Sequence, residues 1–172
     1  IQRGDWSSDV CSSDLTGGTT IQAGTIYLYA ADNAYHDGAT VPFGDLTIES
    51  GAKLVGERSF YAGTLTMNGG TVSEDNGFGG GWTGAVILNQ DSSFTGGFNF
   101  FINGDISGPG GLIKSGGWAG GGVLQLNGTN NTFEGGVTVY DGGTIAIANN
   151  KALGTGTLTT GEAAGGTLNI QA

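Results

Sequence analysis

A five-residue phrase, glycine-x-apolar-x-apolar, returns about every twenty residues along this chain. Its clearest copy is Gly122-Val123-Leu124-Gln125-Leu126. The leading glycines stand at 24, 44, 63, 84, 104, 122, 143 and 166, so successive gaps run between 18 and 23 residues. The copy at Gly104-Asp105-Ile106-Ser107-Gly108 is degenerate but falls where one is due. Such regularity means stacked units, none of which buries a core alone.

The phrase reads as a short strand, because its apolar residues alternate with the two-residue period of a pleat buried on one face. The second apolar position reads Leu28, Ile48, Met67, Leu88, Leu126, Ile147 and Ile170. The residue between the apolar pair reads Tyr27, Thr47, Thr66, Ile87, Ser107, Gln125, Ala146 and Asn169. That column is mostly small or polar and is expected to face water, with Tyr27 and Ile87 as large exposed exceptions. The glycine ahead of each strand is expected to supply a sharp turn with positive φ.

About twenty residues are too few for a strand-helix-strand crossover of roughly 30. They suit one coil of a parallel β-helix, in which each strand pairs with its counterpart one coil later, ~4.8 Å away. The expectation is an all-β, right-handed parallel β-helix of about eight coils, a rod roughly 35–40 Å long.

Composition narrows the function. The 37 glycines among 172 residues have no three-residue period, which excludes collagen. The ordered alternation argues against a disordered low-complexity chain. A net charge of −10 argues against nucleic acid or an anionic membrane surface as partner. No apolar run approaches the ~20 residues of a membrane helix.

Residues 1–15 break the pattern. Asp5-Trp6-Ser7-Ser8-Asp9-Val10-Cys11-Ser12-Ser13-Asp14-Leu15 resembles an in-frame translation of a common short-read sequencing adapter. That resemblance implies an assembled metagenomic read as the source and removes residues 1–15 from fold reasoning. With them go Cys11, which is the only cysteine, Trp6, and the adhesion-like tripeptide Arg3-Gly4-Asp5. Residues 16–172 then form one unit with four basic and twelve acidic residues. Terminal polar caps are not visible at either end, so the unit is expected to be a fragment of a longer β-helix.

Along that unit, Ala30–Thr40 and Ser73–Trp82 read as loops, rich in turn residues. In Phe98-Asn99-Phe100-Phe101-Ile102 the alternation puts Phe98, Phe100 and Ile102 inside and Phe101 outside.

From Gly104 onward the sequence is more specific. Gly111, Leu112, Lys114 and Gly116 fit an opening Gly-x-Leu-x-Lys-x-Gly, with Trp118-Ala119-Gly120-Gly121 lengthening the next turn. Leu124, Leu126, Gly128, Asn130, Gly135, Gly136, Val139, Gly143 and Ile145 fit a following Gly-x-Leu-x-Leu-x-Gly-x-Asn-x-Tyr-x-Gly-Gly-Thr-x-Val, and Phe133 stands in the tyrosine position. This stretch resembles the autotransporter-associated β-strand repeat of bacterial surface passengers. The resemblance implies a right-handed β-helical passenger exported across the outer membrane by a C-terminal β-barrel. Its motif is structural and transfers no catalytic residue.

No catalytic or metal-binding constellation emerges. His36 is the only histidine, which rules out a Ser-His-Asp triad or a multi-histidine metal cage within this chain. The glycine clusters at 79–81 and 120–122 lack the Gly-Lys-Ser/Thr ending of a phosphate loop. Glu74-Asp75 with Asp91 could be weighed as a calcium or acid–base group, but Lys53, Arg58, Lys114 and Lys151 are too scattered to hold an anionic sugar beside them. Tyr35, Phe78, Trp82 and Trp118 lie in loops, where aromatics stack on sugars, anchor a protein, or fold over the coil edge. The reading is a non-enzymatic, cofactor-free display segment of a secreted passenger, stalk or adhesin, whose partners are a host-surface or matrix glycan or protein. The competing readings are a polysaccharide-acting β-helix enzyme and a phage tailspike fragment.

Overall fold

A computed structural model describes residues 17–28, 40–41, 44–56, 60–74, 79–97, 99–116, 122–161 and 166–170. Within them the chain winds through three sheets in turn. The first coil holds β1 (Thr19–Ile21), β2 (Gly24–Leu28) and β3 (Thr40–Val41). The second holds β4 (Leu46–Glu49), β5 (Ala52–Gly56) and β6 (Phe60–Tyr61). The third holds β7 (Leu65–Asn68), β8 (Thr71–Glu74) and β9 (Gly80–Trp82). The fourth holds β10 (Val86–Gln90), β11 (Ser92–Gly96) and β12 (Phe100–Ile102). The fifth holds β13 (Ile106–Ser107), β14 (Leu112–Ser115) and β15 (Val123–Leu126). Two shorter coils follow, β16 (Val137–Tyr140) with β17 (Thr144–Ile147), then β18 (Leu158–Thr160) with β19 (Thr167–Ile170).

The sheets run β1-β4-β7-β10-β13, β2-β5-β8-β11-β14-β16-β18 and β3-β6-β9-β12-β15-β17-β19. Every strand pairs in parallel with its counterpart one coil away, as Leu46 with Leu65 and Leu124 with Ile145. The class is therefore an all-β parallel solenoid. Its described extent is five three-stranded coils and two two-stranded ones, not eight. At ~4.8 Å per step the stack is roughly 30 Å long.

The repeat phrase does not form one column, as the sequence suggested. The copies at Gly44, Gly63, Gly84 and Gly104 lead into the first sheet, the copy at Gly24 into the second, and those at Gly122, Gly143 and Gly166 into the third. Ile48, Met67 and Leu88 share one inner column; Leu126, Ile147 and Ile170 share another. Two different faces present the same half-buried surface, so the same five-residue pattern serves both.

Inside the coil, inward residues of all three sheets meet in one core. It includes Leu46, Ile48, Leu65, Met67 and Val86 from the first sheet, Leu54, Val72 and Phe94 from the second, and Trp82, Phe100, Ile102 and Leu124 from the third. Phe100 and Ile102 are buried and Phe101 is half-buried on the outer side; Phe98 lies outside the described residues. Tyr27 is exposed as expected, whereas Ile87 is half-buried and Ala146, expected to face water, is fully buried. Ala146 is not part of the core cluster.

Two corrections concern loops and glycines. Ser73–Trp82 is not one loop, because Ser73 and Glu74 end β8 and Gly80–Trp82 are β9. The leading glycines mostly answer close contact rather than positive φ. Gly24 and Gly63 do have positive φ, 83° and 107°, but Gly84, Gly104, Gly143 and Gly166 are absent from the left-handed region. A Cβ on Gly84 would run into the Gly63 carbonyl, and one on Gly104 into that of Gly84. Stacked corners bring backbone onto backbone, and only glycine leaves room.

Candidate functional site

Of the four aromatics proposed for surface contact, Tyr35, Phe78 and Trp118 lie outside the described residues. Trp82 is corrected. It is fully buried on the inward side of β9, its ring 5.5 Å from that of Tyr61. Its Nε1 donates a 2.7 Å hydrogen bond to the Gly63 carbonyl oxygen. An indole that spends its donor on a corner carbonyl and its area on the core has nothing left for an external partner.

The acids take a similar role. Thr64 N donates to Asp45 Oδ1 at 2.8 Å, Gly111 N to Asp91 Oδ1 at 2.7 Å, and Asn130 N to Asp105 Oδ1 at 2.9 Å. Each carboxylate thus ties down an amide one coil further on, at the entry to a strand or turn. Glu74 is buried at the end of β8 and pairs in register with Gly96, whereas Asp91 lies before the other end of β11. Glu74 and Asp91, weighed as a calcium or acid–base pair, are not brought together. Asp75 and His36 lie outside the described residues. Among the described residues, no group of three or more His, Cys, Asp or Glu could hold a metal ion.

Side-chain ladders run along the axis. Asn68 Nδ2 donates to Glu49 Oε1 at 2.9 Å, and Asn89 Nδ2 to Asn68 Oδ1 at 2.9 Å. On another corner Asn127 Nδ2 donates to Asn103 Oδ1 at 2.7 Å, and Lys151 Nζ to Asn130 Oδ1 at 2.9 Å. Stacked amides of this kind repeat one bond per coil, as in other stacked parallel strands.

Two buried polar residues do more. Asn131, 3% exposed, accepts from Ile106 N at 2.8 Å and donates from Nδ2 to the Ala152 carbonyl at 2.9 Å. It stands where the first sheet has run out of strands, and joins three successive coils with one side chain. Lys114 occupies an inward position of β14, 2% exposed, in register with Phe94. Its Nζ donates to the carbonyls of Gly96, Ser115 and Gly116 at 3.1, 3.3 and 3.0 Å. Burial pushes its pKa down from 10.5 to about 8. Sequence reading marked Lys114 only as a repeat position and assigned the asparagine match to Asn130, which is exposed. The doublet Asn130-Asn131 carries no signal of which amide turns inward.

These residues define a class: a parallel β-solenoid whose described polar groups hold one coil to the next. Over 162 residues the chain is 32% identical to the protein "Adhesin BmaC autotransporter" of Brucella suis biovar 1 (strain 1330), a match covering 93% of this chain. The chain spans 4% of that adhesin's length. No family model matches the chain, and no solved structure matches it. The repeat, the solenoid and this similarity together fit an autotransporter passenger.

Proposed function

We propose that this chain is a rod segment of a secreted autotransporter passenger, displayed on the bacterial cell surface as a stalk or adhesin. The observation that carries the reading is the similarity to an adhesin autotransporter along 93% of the chain, on a fold that repeats one coil step throughout. The stack supplies reach, since each added coil lengthens the rod by ~4.8 Å without a new core. Its described acids, amides and buried lysine serve cohesion, which suits a spacer better than a reaction centre. The full-length protein then carries a C-terminal outer-membrane β-barrel, crosses the outer membrane through it, and meets a host-surface or matrix glycan or protein. Tyr35, Phe78 and Trp118, which the sequence pattern assigns to loops, are the contact candidates that remain.

The test is to recover the complete reading frame from the source DNA. The expected result is a C-terminal series of strands of roughly ten alternating residues that closes into a barrel. A complete frame without a barrel, or one that runs into a catalytic domain, would sink this reading.

A further inference from the structure

The outer face of the third sheet differs from the other two. None of the described strands of that sheet holds a charged residue, whereas Glu49 stands on the outer face of the first sheet and Lys53 on that of the second. In a chain of net charge −10, an uncharged face suits an uncharged ligand. Near its middle is Phe101 of β12, half-buried on the outer side. Its register partner one coil back is Gly81, and a Cβ on Gly79 would lie 3.4 Å from Phe101 Cε2. The ring therefore extends toward glycines that leave it room. Asn99 and Asn103 stand two residues to either side of Phe101, so they share its outer side, about 7 Å away by the strand rise, and both are exposed. Gln125 is the register partner of Phe101 one coil on, ~4.8 Å away. One bond orients each of these amides. Asn99 Oδ1 accepts from Val123 N at 3.2 Å, Asn103 Oδ1 accepts from Asn127 Nδ2 at 2.7 Å, and Gln125 Nε2 donates to Asn127 Oδ1 at 3.0 Å. Those bonds leave Nδ2 of Asn99 and of Asn103 as donors, and Oε1 of Gln125 as an acceptor, around the ring.

We propose that Phe101, Asn99, Asn103 and Gln125 form a saccharide-binding site, whose ligand is a neutral glycan. A pyranose ring has an apolar C–H face and a rim of hydroxyls. The C–H face packs on the electron-rich face of the Phe101 ring. The rim hydroxyls accept from Nδ2 of Asn99 and Asn103 and donate to Oε1 of Gln125. The bonds that hold one coil to the next fix these amides before the sugar arrives, which lowers the ordering cost of binding. A sulfated or sialylated glycan finds no cation on the described strands of this sheet to offset the loss of its water. The inference deepens the display reading and rests on it for its setting, since a glycan is one of the surfaces that a displayed rod meets.

The test is binding of the 172-residue chain to immobilised tetramers of glucose, mannose, galactose and N-acetylglucosamine, beside sulfated and sialylated glycans. Expected is binding to at least one neutral tetramer, with the same affinity at low salt and at about 1 M salt, because no ion pair takes part. Phe101→Ala weakens that binding about tenfold or more. Asn103→Asp keeps the acceptor for Asn127 Nδ2, loses the donor to the sugar and sets a charge on the face, with a loss of similar size. Thr47→Ala, on the outer face of the first sheet, leaves binding unchanged. Circular dichroism matching the parent shows that each variant folds. If Phe101→Ala does not fold, Asn99→Asp and Asn103→Asp decide the matter. No binding to any neutral tetramer, binding to the anionic glycans alone, or equal binding by parent and variants would each overturn the proposal. A matrix glycoprotein bound equally well before and after removal of its glycans would assign the face to a protein and overturn it too. The reading frame separates this site from the display role. A frame that ends in a barrel, from a chain that holds no neutral glycan, removes the site and leaves the display reading standing.

Discussion

The Trp82 indole reaches across a corner of the solenoid and donates to the Gly63 carbonyl at 2.7 Å, while its ring packs 5.5 Å from Tyr61. One side chain therefore closes the third coil and pins it to the second. Trp82→Ala removes a fully buried indole and should cost about 3–5 kcal/mol. Trp82→Phe keeps most of the area but leaves the Gly63 carbonyl without that donor, and should cost less, roughly 1–3 kcal/mol. Denaturant midpoints for the two variants check the order. Equal midpoints for the alanine variant and the parent would show that this residue is not a core anchor.

Asn131 makes a sharper case for polar cohesion. Asn131→Ala strands the Ile106 amide and the Ala152 carbonyl inside the stack, with an expected loss of roughly 1–3 kcal/mol for each unpaired group. Asn131→Asp retains the acceptor toward Ile106 but loses the donor and buries a charge, so its deficit should shrink as the pH falls and the carboxyl becomes protonated. Hydrogen exchange at Ile106 reads the local effect directly. An Ile106 amide as protected in the alanine variant as in the parent would contradict the role.

Much of this fold was legible in the chain. Alternation in phrases such as Leu46-Thr47-Ile48 and Leu65-Thr66-Met67 is a local property, and it predicted strands that the structure contains. The spacing of the glycines predicted stacking, since a parallel partner must come from one full coil away. What the spacing lacked was an address. Gly104 leads into the first sheet and Gly122 into the third, yet both are followed by the same apolar pattern. Trp82 was misplaced for a related reason. The glycines at 79–81 look like a loop, whereas two of them pair with Phe100 and Phe101 in a sheet whose coils approach closely. The inward turn of Asn131 depends on the Ile106 amide and the Ala152 carbonyl, each more than twenty residues away, and no local pattern encodes that.

Two glycines separate crowding from backbone conformation. Gly142 has φ 72° and follows Asp141 at φ 52° in a turn closed by Gly143 N donating to the Tyr140 carbonyl at 3.0 Å. A Cβ on Gly142 would meet nothing within 4 Å, so Gly142→Ala should cost about 1–2 kcal/mol of left-handed strain alone. Gly84 lacks positive φ but lies against the Gly63 backbone. Gly84→Ala must push two coils apart and should cost well over 3 kcal/mol, or prevent folding. Thermal or denaturant melts of the pair test this. A Gly84→Ala chain as stable as Gly142→Ala would mean that the corners have slack.

Lys114 sets a pH dependence with a definite sign. Its folded pKa is about 8, against 10.5 for an ordinary lysine. Below pH 8 both folded and unfolded chains carry the proton, and burial of the ammonium is a standing penalty. Between pH 8 and 10.5 the unfolded chain keeps the proton that the folded chain has released, so stability rises with pH across that window. The rise is worth roughly 3 kcal/mol at most, at 1.36 kcal/mol per pKa unit. It is fully present above pH 10.5 and lost as the pH falls through 8. The three carbonyls of Gly96, Ser115 and Gly116 limit the penalty at neutral pH by accepting from the ammonium. Lys114→Met removes both the charge and its donors. Its stability should therefore be lower than the parent's above pH 10 and should lack the rise between 8 and 10.5. Taking the difference between the two denaturation profiles removes every contribution common to both chains. Parallel profiles across that window would show that Lys114 keeps an ordinary pKa and that its ammonium is no burden to the folded stack.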